Sequence, residues 1–224
     1  MLIPPIDLMH GKIVQLQQGE KTMLEITDFE PWLKKFEKYK LVQVIDLDAA
    51  KGTGENTAPV AEFCKRMKCQ VGGGIRSIAD AQRALDVGAK RVIFGSALFT
   101  EDSVNLEFAE EAAKTLGAEK LVFAVDSRAG KVVTQGWRKA INVTPEDAIK
   151  LLEPYCEAFL YTHVDLEGMM SGFPMNIARD LRETTKKHLI VAGGIKSMDE
   201  VSQLDTMDID AVVGMAVYTG AVQA

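Results

Sequence analysis

Short apolar runs alternate with longer amphipathic stretches along the whole chain. The runs are rich in Val, Ile, Leu and Phe and do not alternate strictly with polar residues, which is typical of strands buried on both faces of a parallel sheet. This pattern predicts eight strands, at residues 2–8, 41–47, 69–71, 91–94, 121–125, 158–164, 189–192 and 211–213.

Helical periodicity fills the segments between these runs. Ser77, Thr144 and Ser197 are suitable N-caps, and Pro145 follows Thr144 at the first helical position. The predicted helices cover residues 29–39, 57–68, 77–87, 101–116, 144–155, 174–187 and 197–204. Strand–helix units repeated about eight times, with no linker rich in Pro, Gly or Ser, predict one (β/α)8 TIM barrel over residues 1–224.

The chain also repeats itself. Asp7 and the Gly-Lys pair four residues later recur at Asp126, an offset of 119 residues (126 minus 7). Gly73-Gly74 recurs as Gly193-Gly194 at an offset of 120 residues (193 minus 73), and the motifs around residues 46 and 95 recur at an offset of 119. Glycines at turns would recur in any such fold, but paired aspartates at one offset would not. We therefore predict two duplicated (β/α)4 half-barrels, about 1–117 and 118–224.

Composition narrows the class of protein. The chain has 224 residues and a formal net charge of −6, which disfavours nucleic acid and anionic membranes as partners because both need concentrated Lys and Arg. No apolar stretch approaches the roughly 20 residues of a membrane helix. The three cysteines lack zinc-like spacing, so no metal site is predicted. We expect a cytoplasmic protein, and a monomer.

Two aspartates are the candidate catalytic groups. Asp7 and Asp126 each follow an apolar run, so both are expected at the C-terminal ends of strands, where active sites of these barrels are built. The first and fifth strands are opposite each other in an eight-stranded barrel. The pair could therefore abstract a proton from one side of a substrate and donate one from the other.

Glycine clusters are the candidate phosphate sites. Glycine lets a phosphate approach the backbone, and the helix that follows offers free N–H groups. Matched clusters in the two halves predict two phosphate sites, and hence an elongated bis-phosphorylated substrate. The residues assigned to them are Gly73, Gly74, Arg76, Gly95 and Ser96 in the first half, and Gly193, Gly194 and Gly214 in the second.

Three further residues are candidates for binding substrate. Trp137 lies in a glycine-flanked segment and could stack on a ring, although packing in the core is the commoner fate of Trp. Thr162 is expected late in the sixth strand, facing the mouth of the barrel or its rim. Asp46, after the second strand, could bind a hydroxyl or anchor a loop.

Several short sequence motifs together resemble those of one family. Pro-Ile-Asp7-Leu, the Val-Gly-Gly-Gly-Ile-Arg phrase ending at Arg76, Val-Asp126, Gly-Trp137 and Ala-Gly193-Gly-Ile occur in order along the chain. They are similar to phosphoribosylformimino-aminoimidazole carboxamide ribotide isomerases, which perform an Amadori rearrangement, the fourth step of histidine biosynthesis. The resemblance implies a duplicated barrel that uses neither metal nor redox cofactor.

The resemblance also implies roles. Asp7 would be the general base at ribose C2, and Asp126 the general acid that opens the ribose ring. Thr162 would orient the substrate, and Trp137 would stack on the imidazole carboxamide. The resemblance assigns one phosphate to Gly73, Gly74 and Ser96, and the other to Gly193, Gly194 and the amide of Met215.

The chain departs from the family pattern at three places. Gln15 replaces an Arg, residues 166–169 replace Arg-Asp-Gly-Thr, and Met215 replaces an Arg beside the expected phosphate. These differences concern affinity and substrate range more than the type of reaction.

Three alternative functions remain open. The sister cyclase, imidazole glycerol phosphate synthase, shares the duplicated barrel, but it has Cys-Leu-Asp-Val where this chain has Pro-Ile-Asp7-Leu. An isomerase that also acts on phosphoribosyl anthranilate would use the same chemistry. A barrel that only binds phosphorylated ligands would have no need of both aspartates.

Overall fold

In the computed structural model, which describes residues 1–222, eight parallel strand positions close into a barrel surrounded by helices. The strands are β1 (Leu2–Ile3), β2 (Pro5–Met9), β3 (Lys12–Gln17), β4 (Lys21–Ile26), β5 (Val42–Asp46), β6 (Cys69–Gly72), β7 (Arg91–Phe94), β8 (Leu121–Ala124), β9 (Ser127–Arg128), β10 (Lys131–Thr134), β11 (Lys139–Ala140), β12 (Ala158–Thr162), β13 (His188–Ala192) and β14 (Ile209–Val212). The helices are α1 (Glu30–Phe36), α2 (Leu47–Lys51), α3 (Thr57–Arg66), α4 (Ile78–Asp86), α5 (Leu106–Leu116), α6 (Pro145–Leu152), α7 (Met175–Thr184), α8 (Met198–Thr206) and α9 (Met215–Tyr218).

The barrel closes through a first strand that is split in two. Pro4, which has no N–H to donate, separates β1 from β2. β1 pairs with β14, whereas β2 pairs with β5, and the remaining strands follow in the order β5, β6, β7, β8, β12, β13 and β14. The protein is therefore a (β/α)8 barrel, as the sequence predicts.

Each half adds a small antiparallel extension at the same point. β2 continues directly into a hairpin with β3 and β4, and β9, β10 and β11 form a three-stranded sheet just after β8. The pattern of apolar runs does not predict β3, β4, β9 or β11 as strands. These extensions matter for the site because both begin beside a candidate catalytic aspartate.

Side chains of the strands alternate between two apolar layers. In β12, Leu160 packs inside the barrel, whereas Phe159 and Tyr161 pack against the outer helices. The same alternation puts Val122 and Ala124 of β8 inside. Residues two positions beyond an interior side chain therefore point toward the mouth, which is how the fold aims its functional groups.

Several predicted boundaries differ from the structure. α5 begins at Leu106 rather than near residue 101, because the Asn105 side chain caps it by accepting the N–H of Phe108. α6 ends at Leu152, since Pro154 shortens the end of the predicted helix to a 3-10 turn. α2 and α9 were not predicted. The division near residue 117 stays a prediction.

Candidate active site

A cavity opens at the C-terminal ends of the parallel strands. Its floor consists of interior apolar side chains, among them Ile45, Ile93 and Leu160. The candidate residues that line it are Asp7, Gly73, Gly74, Arg76, Gly95, Ser96, Asp126, Trp137, Thr162, Gly193, Gly194, Gly214 and Met215. The fold thus brings together all the candidates singled out from the sequence except Asp46.

Asp7 projects into the cavity from the middle of β2 rather than from its end. It pairs with Ile45 of β5 on one side and with Val14 of β3 on the other, because β2 runs on into the hairpin. Burial raises the pKa of Asp7 to about 7, and Gln15 opposes this rise by donating from Nε2 to Oδ2 at 3.4 Å. A carboxyl with this pKa is divided between its two protonation states near neutral pH.

Asp126 enters the cavity just beyond β8, on the opposite wall. The Trp137 indole N–H donates to Oδ2 at 2.7 Å, whereas the buried Oδ1 makes no hydrogen bond to any residue within 1–222. Burial raises the pKa of Asp126, and its interactions with Trp137 and then Thr162 act in the opposite direction. Asp126 is therefore held through Oδ2 by the Trp137 indole, while Oδ1 is buried.

A third carboxyl faces these two. Glu167 lies in the loop after β12 and lines the same cavity. Burial, then the charges of Asp7 and Asp126, raise its pKa to about 8. Ionising all three carboxyls would place three negative charges in one cavity, which is unfavourable. At neutral pH the cluster of Asp7, Asp126 and Glu167 is therefore only partly ionised.

The glycine loops occupy two opposite sides of the mouth. Gly73 and Gly74 follow β6, and Gly193 and Gly194 follow β13, all with positive φ. A Cβ on Gly73 would lie 2.2 Å from the carbonyl oxygen of Asp46, and one on Gly193 would lie 2.4 Å from that of His163. Only glycine fits at these turns.

The helix that follows each glycine pair has the same cap. The hydroxyl of Ser77 accepts the N–H of Asp80 at 3.1 Å, and the hydroxyl of Ser197 accepts the N–H of Glu200 at 3.3 Å. Of the two glycine loops, only the one in the first half carries an arginine. Arg76 donates to the carbonyl oxygens of Ala49 and Ala50 beside the cavity. The corresponding residue of the second half is Lys196.

Asp46 does not line the mouth. In β5, Gln43 and Ile45 line the cavity, so Asp46 is on the outer side of the strand. Its carboxylate caps α2 by accepting the N–H of Ala49 at 3.1 Å, and it also accepts the backbone N–H of Asn56 at 2.6 Å. Of the two roles that the sequence left open for Asp46, the structure supports that of an anchor for the loop.

Comparison with known proteins identifies the family. The model of the family described as "Histidine biosynthesis protein" matches residues 1–223. The chain belongs to this family. It is 35% identical over 229 residues to the 1-(5-phosphoribosyl)-5-((5-phosphoribosylamino)methylideneamino)imidazole-4-carboxamide isomerase of Methanocaldococcus jannaschii, covering 99% of this chain and 95% of the relative.

Further relatives in this family carry the same enzyme name. Identity is 34% to the isomerase of Methanosphaera stadtmanae, over 99% of this chain and 95% of the relative. It is also 34% to that of Archaeoglobus fulgidus, over 97% and 92% respectively. The resemblance inferred from the sequence is confirmed at the level of the family.

Two side chains of the site were not among the candidates. Glu167 was noted only as a departure from the family pattern, and Gln15 only as a replacement for Arg. The internal repeat offers a signal for Glu167, because its counterpart at the offset of 119 is Asp48. The counterpart has a different environment, since Asp48 accepts hydrogen bonds from the backbone of His10 and the side chain of Asn56.

Proposed function

We propose that this protein is an aldose–ketose isomerase of histidine biosynthesis, acting on the bis-phosphorylated ribosyl-formimino-aminoimidazole carboxamide ribotide. The observation that carries the proposal is the pair of half-buried aspartates, Asp7 and Asp126, facing each other across a mouth with a glycine loop on either side. Full-length similarity to proteins that bear this enzyme name supports it.

The first step opens the ribose ring. Asp126, whose pKa is raised by burial, donates a proton to the ring oxygen as the bond from that oxygen to C1 breaks. The electron pair of the substrate amine forms the C1–N double bond, giving a protonated imine.

The second step moves a proton from C2. Asp7 in its ionised form takes this proton, and the C–H electron pair forms the C1–C2 double bond of an enaminol while the imine nitrogen becomes neutral. Proton transfer from the C2 hydroxyl and to C1 then yields the aminoketose. A base with a pKa of about 7 is ionised often enough to act at neutral pH and basic enough to abstract the proton.

No external electron acceptor is needed, because C1 is reduced and C2 oxidised within one substrate. We therefore propose a mechanism without a metal or redox cofactor. The two phosphates would bind to the two glycine loops, one at Gly73-Gly74 with Gly95, Ser96 and Arg76, the other at Gly193-Gly194 with Gly214 and the amide of Met215. Thr162 would orient the ribose, and Trp137 would cover the imidazole.

We further propose that the protein acts as a monomer, since one chain supplies both aspartates and both loops. Among residues 1–222, no helix is long and apolar enough to span a bilayer.

The test is steady-state turnover of the histidine-pathway aminoaldose by the purified protein, with phosphoribosyl anthranilate measured in parallel. Asp7→Asn is expected to lower kcat by about 10²–10⁴-fold while the substrate still binds. Asp102→Asn, which changes an exposed aspartate, is the matched control and should leave kcat unchanged. Turnover of both substrates would extend the function to a bifunctional isomerase.

Other outcomes would contradict the proposal. Tight binding of the aminoaldose without turnover by the wild-type protein would point to a barrel that only binds ligand. Consumption of the aminoketose with ammonia, and not of the aminoaldose, would point to the cyclase.

A further inference from the structure

The tip of the β3–β4 hairpin lies against the Cε3–Cζ3 edge of the Trp137 indole. Gly19, at this tip, lines the cavity together with Trp137. A Cβ built on Gly19 would lie 2.9 Å from Cε3 and 3.0 Å from Cζ3 of the indole. Carbon atoms in contact are normally 3.5–4.0 Å apart. The indole therefore occupies space that any side chain at position 19 would need.

The hairpin tip is anchored on the far side of the mouth. The backbone N–H of Gln18 donates to the carbonyl oxygen of Glu167 at 3.0 Å, and the Gln18 side chain donates to the carbonyl oxygen of Asp165 at 2.9 Å. The glycine of this second loop, Gly168, leaves no room between the two segments, since a Cβ there would lie 2.4 Å from the carbonyl oxygen of Leu16. A collision at Gly19 would therefore displace the indole more readily than the hairpin.

The backbone of the Trp137 loop is held in a costly conformation. Gln135, Gly136 and Trp137 all have φ between 56° and 67°, a backbone region that residues other than glycine rarely adopt. The Ser96 hydroxyl accepts the N–H of Gln135 at 2.8 Å, and Arg128 donates to the carbonyl oxygen of Trp137 at 3.1 Å. The loop fixes the backbone of Trp137, and Gly19 limits where the indole ring can lie.

We propose that Gly19 is a positioning residue: its bare Cα holds the Trp137 indole against Asp126, so that the hairpin tip controls the hydrogen bond to the second aspartate. The structural part of this proposal stands alone, and its consequence for turnover rests on the proposed isomerase function. The distance that it controls is the 2.7 Å between Nε1 of Trp137 and Oδ2 of Asp126.

Gly19→Ala provides the perturbation. Restoring normal contact between the methyl group and the ring requires a displacement of about 0.5–1 Å. The same displacement along the bond to Asp126 would lengthen it from 2.7 Å to about 3.2–3.7 Å, at or beyond the limit of an ordinary N–H···O hydrogen bond. Asp126 would then lose the largest of the contacts that lower its pKa, and this pKa would rise.

We expect the other ionisable groups near Asp126 to stay in place in this variant, because the three atoms nearest to a Cβ at Gly19 all belong to Trp137. Glu167 faces it across the mouth, Tyr161 contributes from β12, and Arg128 approaches the Trp137 carbonyl from β9. Asp7 belongs to the same carboxyl cluster through Glu167. A change in the titration of Asp126 in Gly19→Ala therefore reports the loss of the indole contact.

The experiment follows Trp137 fluorescence in a Trp32→Phe background, which leaves Trp137 as the only tryptophan of the chain. Ligand-free protein is titrated from pH 4 to pH 9. The control is Gly130→Ala, because Gly130 has φ +74° against +75° for Gly19 but nothing within 4 Å of its Cβ. Both variants introduce the same backbone strain, but only the methyl group of Gly19→Ala contacts the indole.

We expect the midpoint for Gly19→Ala to rise by about 1 pH unit, and that for Gly130→Ala to stay within 0.2 unit. Equal midpoints in Gly19→Ala and the parent protein, or equal shifts in the two variants, would overturn the proposal. This readout requires no substrate, so it is separate from any failure of the proposed isomerase activity.

A double-mutant cycle tests the consequence for turnover. If the isomerase function holds, Gly19→Ala should move the basic limb of the pH profile of kcat/KM to higher pH, because Asp126 acts as the acid. Trp137→Phe has no indole N–H, so adding Gly19→Ala to it should leave this limb where Trp137→Phe alone has put it. A further shift in the double variant would show that Gly19 acts on Asp126 by a route other than Trp137.

Discussion

Replacement of Glu167 by Gln tests the crowding of carboxyls at the mouth. The protonated form of Glu167 is favoured in the folded protein, so its contribution to the unfolding free energy is fully present below pH 4.5 and is lost as the pH rises through about 8. At 1.36 kcal/mol per pH unit, the interval between these pKa values corresponds to about 5 kcal/mol. Of this, about 3 kcal/mol falls between pH 5.5 and pH 9.

The Gln side chain keeps the shape of the protonated acid but cannot ionise. The unfolding free energy of Glu167→Gln should therefore fall less between pH 5.5 and pH 9 than that of the wild type, by about 3 kcal/mol. The assay is urea unfolding at both pH values, followed by far-UV circular dichroism. Glu62→Gln, on the exposed face of α3, is the control and should behave as wild type. A stability difference between Glu167→Gln and wild type that is the same at both pH values would refute the reasoning.

Two other changes test the surroundings of the site. Gln15→Leu removes a hydrogen bond to Asp7, so the pKa of Asp7 should rise above about 7 and the acid limb of the kcat/KM profile should move upward by a few tenths of a unit or more. Unchanged profiles would show that Gln15 does not act on Asp7. Gly193→Ala forces a methyl group onto the carbonyl oxygen of His163 and should lower the urea-unfolding free energy by about 2–4 kcal/mol. Gly11→Ala, at φ +69° with open space around it, should cost only about 1 kcal/mol, and equal losses in the two variants would contradict the steric argument.

The barrel could be predicted because its strands are buried on both faces and appear as plain apolar runs. The hairpin of β3 and β4 could not, since β4 is largely exposed and its sequence, Lys-Thr-Met-Leu-Glu-Ile, has no strong apolar periodicity. The early end of α6 could have been predicted, because Pro154 stands in the sequence itself.

The candidate site was predictable wherever the internal repeat doubled the signal, as at Asp7 and Asp126. Asp46 shows the limit of that reasoning. It follows an apolar run as the two catalytic candidates do, but its position in the strand gives it the same orientation as Val44, which packs against the outer helices. A residue's alternation along its strand, rather than its nearness to the strand end, decides whether it faces the mouth.

Glu167 was harder to recognise because its environment depends on folding. Nothing local in Leu-Glu-Gly-Met distinguishes it from an exposed loop carboxylate. Its raised pKa arises from burial and from two aspartates that are distant in sequence. The contact between Gly19 and Trp137 likewise joins two hairpins from different halves of the chain, which no local pattern encodes.

The split of the first strand at Pro4 has a consequence for local opening of the barrel. The closing seam joins β1 to β14 through only two residue pairs, Leu2 with Ala211 and Ile3 with Val212. Asp7 lies beyond the split, where β5 and β3 hold it from both sides. Local opening of the seam can therefore occur while Asp7, the proposed base, stays in register with its neighbours. One half of the first strand thus closes the barrel, and the other half carries the proposed base.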